Sequence, residues 1–128
     1  MVSHTLRPSA TILVVDDLKP VRELLCDVLQ TAGYTVLVAT TGSEALEASQ
    51  RHGGKIDLLL TDLEMPDMNG LDLTKELMSI HHRMRVLYMF EAGEQCLIRR
   101  SGDEVRGLFM SKPFTQDTIH RQVGEALE

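Results

Sequence analysis

The sequence predicts an α/β fold in which five parallel strands alternate with helices, forming a doubly wound sheet. Continuous apolar runs such as TILVV (11–15) are typical of strands that are buried on both faces. Between these runs, apolar residues recur at helical spacing, and Gly or Pro residues mark the boundaries. Strands that alternate with helices require right-handed crossovers and a parallel sheet covered on both sides.

The predicted elements follow one another regularly. The strands are TILVV (11–15), YTVLVA (34–39), DLLLTD (57–62), RVLYM (85–89) and GLFMS (107–111). The helices lie between Pro20 and Gly33, over 42–52, 71–80 and 115–128, with a short one within 92–105. Pro20 suits the first turn of its helix, Gly33 suits the end of that helix, and Ser43 suits the N-cap of the next. Because the carboxyl ends of parallel strands share one edge, we expect the functional residues in the loops there.

The composition is typical of one soluble domain. The chain has 128 residues, of which 43% are hydrophobic and 25% are charged. We expect residues 1–10 to be an N-terminal tail or linker and residues 11–128 to form the domain. The net charge of −6 disfavours direct nucleic-acid binding, and no apolar run approaches the ~20 residues needed for membrane insertion. The isolated Cys26 and Cys96 and the lack of a signal-peptide pattern favour a cytoplasmic protein with reduced thiols.

Three of the predicted strands end in residues with complementary chemistry. Asp16 and Asp17 follow the first strand, Asp62 ends the third, and Lys112 and Pro113 follow the fifth. Three neighbouring carboxylates repel one another unless one is protonated or a cation lies between them. Their oxygens suit Mg²⁺, and a Lys ammonium can reach a phosphate oxygen. A carboxylate beside a metal ion and a Lys is equipped to accept a phosphoryl group.

These residues belong to longer motifs: ILVVDD (12–17), LLLTDLEMPDMNG (58–70) and KPF (112–114). With these motifs in this order, residues 11–127 resemble the receiver domain of two-component response regulators. The stretches VRELLCDVLQTAGY (21–34) and VLYM (86–89) are similar to receivers attached to hybrid histidine kinases. The resemblance implies a flavodoxin-like (βα)5 fold and a signalling domain that is not an enzyme beyond its own phosphorylation and dephosphorylation. It also implies Mg²⁺ as cofactor, and a histidine kinase or histidine phosphotransfer protein as partner. A downstream protein target would bind the face formed by the short helix predicted within 92–105 and the fifth strand.

The resemblance implies a role for each residue of the site. Asp62 would accept the phosphoryl group, and Lys112 would contact its oxygens. Asp17 would bind Mg²⁺ directly and Asp16 would bind it through a water molecule. Asp62 and the backbone carbonyl of Glu64 would complete the protein ligands.

The fifth strand carries two further positions of the family pattern. Phe109, three residues before Lys112, falls where the family has an aromatic switch residue, although a core role explains an aromatic there equally well. Pro113 falls where the family has a cis Lys–Pro bond, which places the amine.

The sequence departs from the family at the end of the fourth strand. The family has a Thr or Ser hydroxyl there, followed by a small residue, whereas this chain has Phe90 and Glu91. Because a phosphate cannot draw a phenyl ring toward itself, we expect Asp62 to be phosphorylated without the usual hydroxyl–aromatic relay. Glu91 is either a solvent-facing loop residue or a charge that discourages the phosphoryl group.

Two other functions are compatible with the residues. A degenerate receiver would act only as a protein-interaction module; Phe90 and Glu91 favour this alternative, and the retained acids and Lys112 oppose it. A phosphatase of the haloacid-dehalogenase type also uses a strand-end Asp, Mg²⁺ and a Lys. That family has a DxD motif on its first strand, where this chain has the adjacent Asp16 and Asp17.

Overall fold

The structure, a computed structural model, describes residues 10–94 and 107–128. Residues 1–9 of the predicted N-terminal tail and residues 95–105 of the predicted short helix therefore lie outside the described residues. None of the helices within the described ranges combines the length and apolar character needed to cross a bilayer.

The described residues form five strands and four helices. Their bounds are β1 Thr11–Val15, α1 Lys19–Thr31, β2 Thr35–Ala39, α2 Gly42–His52, β3 Leu58–Asp62, α3 Gly70–Met78, β4 Arg85–Phe90, β5 Leu108–Ser111 and α4 Gln116–Leu127. The strands form one sheet in the order β2-β1-β3-β4-β5, and all neighbouring strands are parallel. The predicted doubly wound (βα)5 architecture is confirmed, with boundaries that differ by one or two residues, as is usual at frayed ends.

The sheet is buried on both faces, which explains why its strands are continuously apolar. On β1, Ile12 and Val14 point to one face and pack in a cluster with residues of α1 and α4. The alternate residues Leu13 and Val15 point to the other face and pack in a second cluster with residues of α2 and α3. All four of these β1 side chains are completely buried.

The register of the sheet brings the strand ends together. Val15 lies opposite Thr61, so that Asp16 and Asp62 follow on adjacent strands. On the other side of β3, Asp62 lies opposite Met89. The strand order changes direction between β1 and β3, and ligands of open α/β sheets bind at such a switch point, outside the carboxyl ends of the strands.

The N-cap predicted for α2 is wrong. Thr41, not Ser43, caps this helix, since its hydroxyl accepts a hydrogen bond from the Glu44 amide at 3.1 Å. Ser43 lies in the first turn and donates its hydroxyl to the Asp67 carboxylate at 2.8 Å. That carboxylate also accepts the backbone N–H groups of Gly42 and Ser43, at 3.0 and 2.9 Å. The start of α2 is thus capped both locally and by the loop after β3.

Two glycines at element ends have different physical roles. Gly33 follows α1 with a φ of 101°, a conformation that L side chains rarely adopt, and it ends the helix as predicted. Gly70 begins α3, and its φ is not positive. A Cβ atom at Gly70 would instead clash with the carbonyl oxygen of Asp62. Glycine at this position therefore lets α3 approach the end of β3.

Candidate functional site

The centre of the site is a largely buried ammonium that contacts two carboxylates. Lys112 Nζ lies 2.8 Å from Asp62 Oδ1 and 2.9 Å from Asp16 Oδ2. Asp16 is completely buried and Asp62 is 5% exposed. Residues from the ends of β1, β3 and β5 therefore meet in a single charged cluster that is largely shielded from water.

Backbone hydrogen bonds fix the positions of the charged residues. Asp16 Oδ1 accepts the Leu18 N–H at 2.8 Å, so one carboxylate oxygen is used in the turn before α1. The Arg22 guanidinium donates to the Asp16 carbonyl at 2.9 Å. The Lys112 N–H donates to the carbonyl oxygen of Phe90 at 2.8 Å, which ties the end of β5 to the end of β4. The Lys112–Pro113 peptide bond is cis.

Burial and neighbouring charges shift two pKa values in the cluster. Burial raises the pKa of Asp62 to about 8; the Asp16 charge adds to this rise, and the hydrogen bond and charge of Lys112 oppose it. Burial acts to lower the pKa of Lys112, but the hydrogen bonds and charges of Asp62 and Asp16 outweigh burial and raise it. The Lys112 ammonium therefore stays charged, whereas burial favours the protonated form of Asp62.

Three carboxylates are close enough to share a metal ion. Single oxygens of Asp16, Asp17 and Asp62 all lie within 4.8 Å of one another. Asp17 is exposed, so the cluster opens to solvent on its side. A set of carboxylate oxygens open to water fits Mg²⁺, which keeps several waters and binds one or two carboxylates. The exposed Glu64 lies two residues beyond Asp62 and forms an isolated antiparallel bridge with Asn69.

Phe90 takes part in a row of aromatic side chains, which we call the aromatic row: Tyr88, Phe109 and Phe90. The rings of Tyr88 and Phe109 stack with centroids 5.2 Å apart, and Phe90 meets Phe109 edge-on at 6.4 Å and 72°. The Tyr88 hydroxyl donates to Thr74 Oγ1 on α3 at 3.0 Å. Phe90 and Phe109 both pack against the core cluster on the α2–α3 side. Phe90 thus fills its position as a packed, half-buried ring.

Sequence reasoning missed two features beside these residues. One is the hydrogen bond from Tyr88 to Thr74, which joins residues 14 positions apart and has no local signal in the sequence. The other is a groove of about 310 Å³, which we call the apolar groove, lined by Leu18, Val21, Leu24, Glu91, Lys112, Pro113 and Phe114. Leu18 is 48% exposed there, although it is a large apolar residue. Its position directly after Asp17 was the signal available in the sequence.

Comparison with known proteins gives a family match over most of this chain and several relatives of similar sequence. The response regulator receiver domain family matches residues 12–124. The sensor kinase CckA of Brucella abortus is 35% identical over 120 residues, which are 94% of this chain and 13% of that kinase. The chemotaxis protein CheY of Thermotoga maritima is 35% identical over 84% of this chain and 89% of its own length. The sporulation initiation phosphotransferase F of Bacillus subtilis is 33% identical, covering 91% of this chain and 92% of that protein.

Solved structures show the same fold. The chemotaxis protein CheY4 of Vibrio cholerae, at 27% identity, superposes with a TM-score of 0.78 and covers 93% of this chain and 99% of its own. A response regulator receiver domain protein from Clostridium thermocellum, at 26% identity, superposes with a TM-score of 0.77 over 92% and 94% of the two chains.

Proposed function

Since the chain belongs to the family of response regulator receiver domains, the signalling modules of two-component systems, we propose that its Asp62 accepts a phosphoryl group from a phosphohistidine on a partner protein. The observation that carries this proposal is the contact of one buried ammonium, that of Lys112, with the carboxylates of both Asp62 and Asp16. A nucleophilic carboxylate, a cation for the transferred group and a set of metal ligands thereby lie side by side.

In the proposed reaction, a carboxylate oxygen of ionised Asp62 attacks phosphorus, and the bond from phosphorus to the histidine nitrogen breaks. The electron pair of that bond stays with the imidazole. The Lys112 ammonium stabilises the phosphoryl oxygens in transfer, and its contact with Asp16 positions it.

Receiver domains bind Mg²⁺ at an acidic pocket, and the aspartates of this chain fit such a site. When bound, Mg²⁺ supplies positive charge that offsets the negative charge of the phosphoryl group. We assign Asp17 as a direct ligand, Asp16 as a ligand through water, and Asp62 and the Glu64 backbone carbonyl as the remaining ligands. Because burial raises the pKa of Asp62, a cation bound beside this carboxyl group would favour release of its proton.

The apolar groove supports a protein as the phosphoryl donor. Receiver domains of this type interact with histidine kinases or phosphotransfer proteins. The groove places the exposed Leu18 and the half-buried Phe114 in the same lining as Lys112. A small phosphodonor has no use for such a surface, whereas a helix carrying a phosphohistidine can bury it.

Phe90 supports an atypical response to phosphorylation. Its ring already packs edge-on against Phe109, and Phe109 already stacks on Tyr88. A hydroxyl that could be drawn to the phosphoryl group is replaced by a ring, so the aromatic row keeps its arrangement in both states. The same observation favours a second candidate function, a degenerate receiver that binds a protein target without phosphorylation.

The experiment is phosphoryl transfer followed by intact mass measurement. The protein is incubated with Mg²⁺ and either a phosphorylated histidine kinase or acetyl phosphate. We expect one phosphoryl group per chain, and none in Asp62→Asn or when the metal is chelated. Asp27→Asn, which removes an exposed carboxylate from α1, is the matched control and should behave as the wild type. No adduct with any donor would contradict the proposal and favour the interaction-only function.

A further inference from the structure

Glu91 is the first residue after β4, and it lines the apolar groove together with Lys112, whose ammonium contacts Asp62. It is exposed and lines the groove together with Lys112 and Leu18. The bond from the Lys112 N–H to the carbonyl oxygen of Phe90 holds the start of this loop against the end of β5. A donor protein that covers the groove beside Lys112 therefore meets the Glu91 side chain.

The carboxylate of Glu91 is available to a partner. Its backbone N–H is used, since it donates to Glu94 Oε1 at 2.8 Å. Within residues 10–94 and 107–128, no hydrogen bond or ion pair engages the Glu91 carboxylate. By contrast, the Lys112 ammonium is already engaged by Asp16 and Asp62. The Glu91 charge is thus not neutralised by the cation nearest to it in the groove.

We propose that Glu91 determines which phosphodonors the site accepts, an inference that rests on the proposed function of Asp62. Its carboxylate repels small free phosphodonors such as acetyl phosphate, which reach Asp62 as anions. It favours a phosphohistidine on a protein surface that places a Lys or Arg side chain beside the histidine. That cation pairs with Glu91 as the apolar groove is covered, so the repulsion becomes an attraction.

The size of the effect follows from electrostatics in a wet groove. For a single carboxylate and a phosphate dianion about 5–10 Å apart in water, the interaction changes a rate about three- to tenfold. Because the Debye length is about 10 Å at 0.1 M salt and about 3 Å at 1 M, added salt should remove most of this difference. If the substitution of Glu91 acted by changing local packing, the resulting difference in rate would not depend on salt.

The first test compares phosphorylation of Asp62 by acetyl phosphate in the wild type and in Glu91→Gln. The rate of adduct formation is followed by intact mass with Mg²⁺ at low and at high ionic strength. We expect Glu91→Gln to react about three- to tenfold faster at low salt, with the difference closing at high salt. Glu47→Gln, which removes the same charge from the exposed face of α2, is the matched control and should react as the wild type.

The second test uses two phosphohistidine peptides that differ only in flanking residues, Lys in one and Glu in the other. The wild type should accept phosphoryl groups faster from the Lys-flanked peptide, and Glu91→Gln should lose this preference. Equal rates for wild type and Glu91→Gln with acetyl phosphate, in proteins that do form the adduct, would overturn the inference and leave the proposed function standing. Absence of the adduct from both proteins would instead overturn the proposed function itself.

Discussion

Asp62 is a buried carboxylate that shares one ammonium with a second buried carboxylate. Burial raises its pKa to about 8, whereas an Asp in an unfolded chain has a pKa of about 3.9. Between these values the folded protein keeps a proton that the unfolded chain has lost. The contribution of Asp62 to stability is therefore fully present below about pH 4 and is lost as pH rises through about 8.

Replacing Asp62 by Asn should remove this pH-dependent loss. In the absence of Mg²⁺ at pH 8, we expect Asp62→Asn to be more stable than the wild type by roughly 1–2 kcal/mol, because no charge has to be buried there. The difference in stability between Asp62→Asn and the wild type should become smaller as pH falls toward 5. Mg²⁺ should stabilise the wild type more than the variant. Urea unfolding across pH, with and without Mg²⁺, measures both effects. A variant that is less stable than the wild type at every pH would contradict this assignment.

In the proposed function, Phe90 stands where the family has a hydroxyl that contacts the phosphoryl group. Introducing one with Phe90→Ser should strengthen binding of the phosphate mimic beryllofluoride roughly ten- to a hundredfold, since a hydrogen bond to a charged group contributes about 1.5–3 kcal/mol. The lost contact with Phe109 should lower the free energy of unfolding by about 1–2 kcal/mol. Phe90→Leu removes the ring without adding a hydroxyl, and it should show the loss of stability alone.

Backbone NMR shifts with and without beryllofluoride report the switch in the same proteins. In the wild type, we expect shifts near Asp62 and Lys112 and little change at Phe109, because Phe90 fixes the aromatic row. In Phe90→Ser, the shifts should extend along β5. Large shifts throughout β5 in the wild type would show that a ring at this position does not block the relay.

At the scale of elements, the loop from β3 to α3 does more than make a turn. Asp67 in this loop accepts the N–H groups of Gly42 and Ser43 and the Ser43 hydroxyl, so it holds the start of α2 beside α3. The hydrogen bond from the Ser43 side chain and those from the backbone lower the pKa of Asp67. The contribution of Asp67 is therefore present above about pH 4 and is lost as pH falls through its lowered pKa.

Removing the Asp67 carboxylate should weaken this junction. We expect Asp67→Ala to lower the free energy of unfolding by about 1 kcal/mol at pH 7, a typical cost for a lost helix cap at an exposed site. At low pH the difference from the wild type should be smaller, because the carboxylate becomes protonated once pH falls below its lowered pKa. Thermal unfolding at both pH values measures this, with Asp27→Ala on the exposed face of α1 as the control. An equal loss of stability at both pH values would indicate that Asp67 acts through packing and not through its hydrogen bonds to the start of α2.

The elements themselves were predictable because each strand is buried on both faces and is therefore continuously apolar. The N-cap of α2 was not predictable from the sequence, since Thr41 and Ser43 both carry a hydroxyl group and lie two positions apart. What distinguishes them is Asp67, which is distant in sequence and engages Ser43 from the loop after β3. Such a contact has no local signal, and the same holds for the bond from Tyr88 to Thr74.

At the scale of the whole molecule, sheet topology explains why the charged residues could be predicted together. Parallel strands deliver Asp16, Asp62 and Lys112 to one edge, and the order β2-β1-β3-β4-β5 makes β1 and β3 neighbours at the switch point. The sequence alone did not reveal that one ammonium contacts both carboxylates. Nor did it reveal the apolar groove, since Leu18 and Phe114 belong to segments far apart in the chain.

The most direct test of the central proposal identifies the residue that carries the phosphoryl group. After phosphorylation with Mg²⁺, borohydride reduction converts an aspartyl phosphate to homoserine, and peptide mass spectrometry locates the converted position. We predict conversion of Asp62 alone, dependent on Mg²⁺ and strongly reduced in Lys112→Ala. Conversion at any other aspartate, or an unmodified Asp62 after reaction with a competent phosphohistidine donor, would contradict the account.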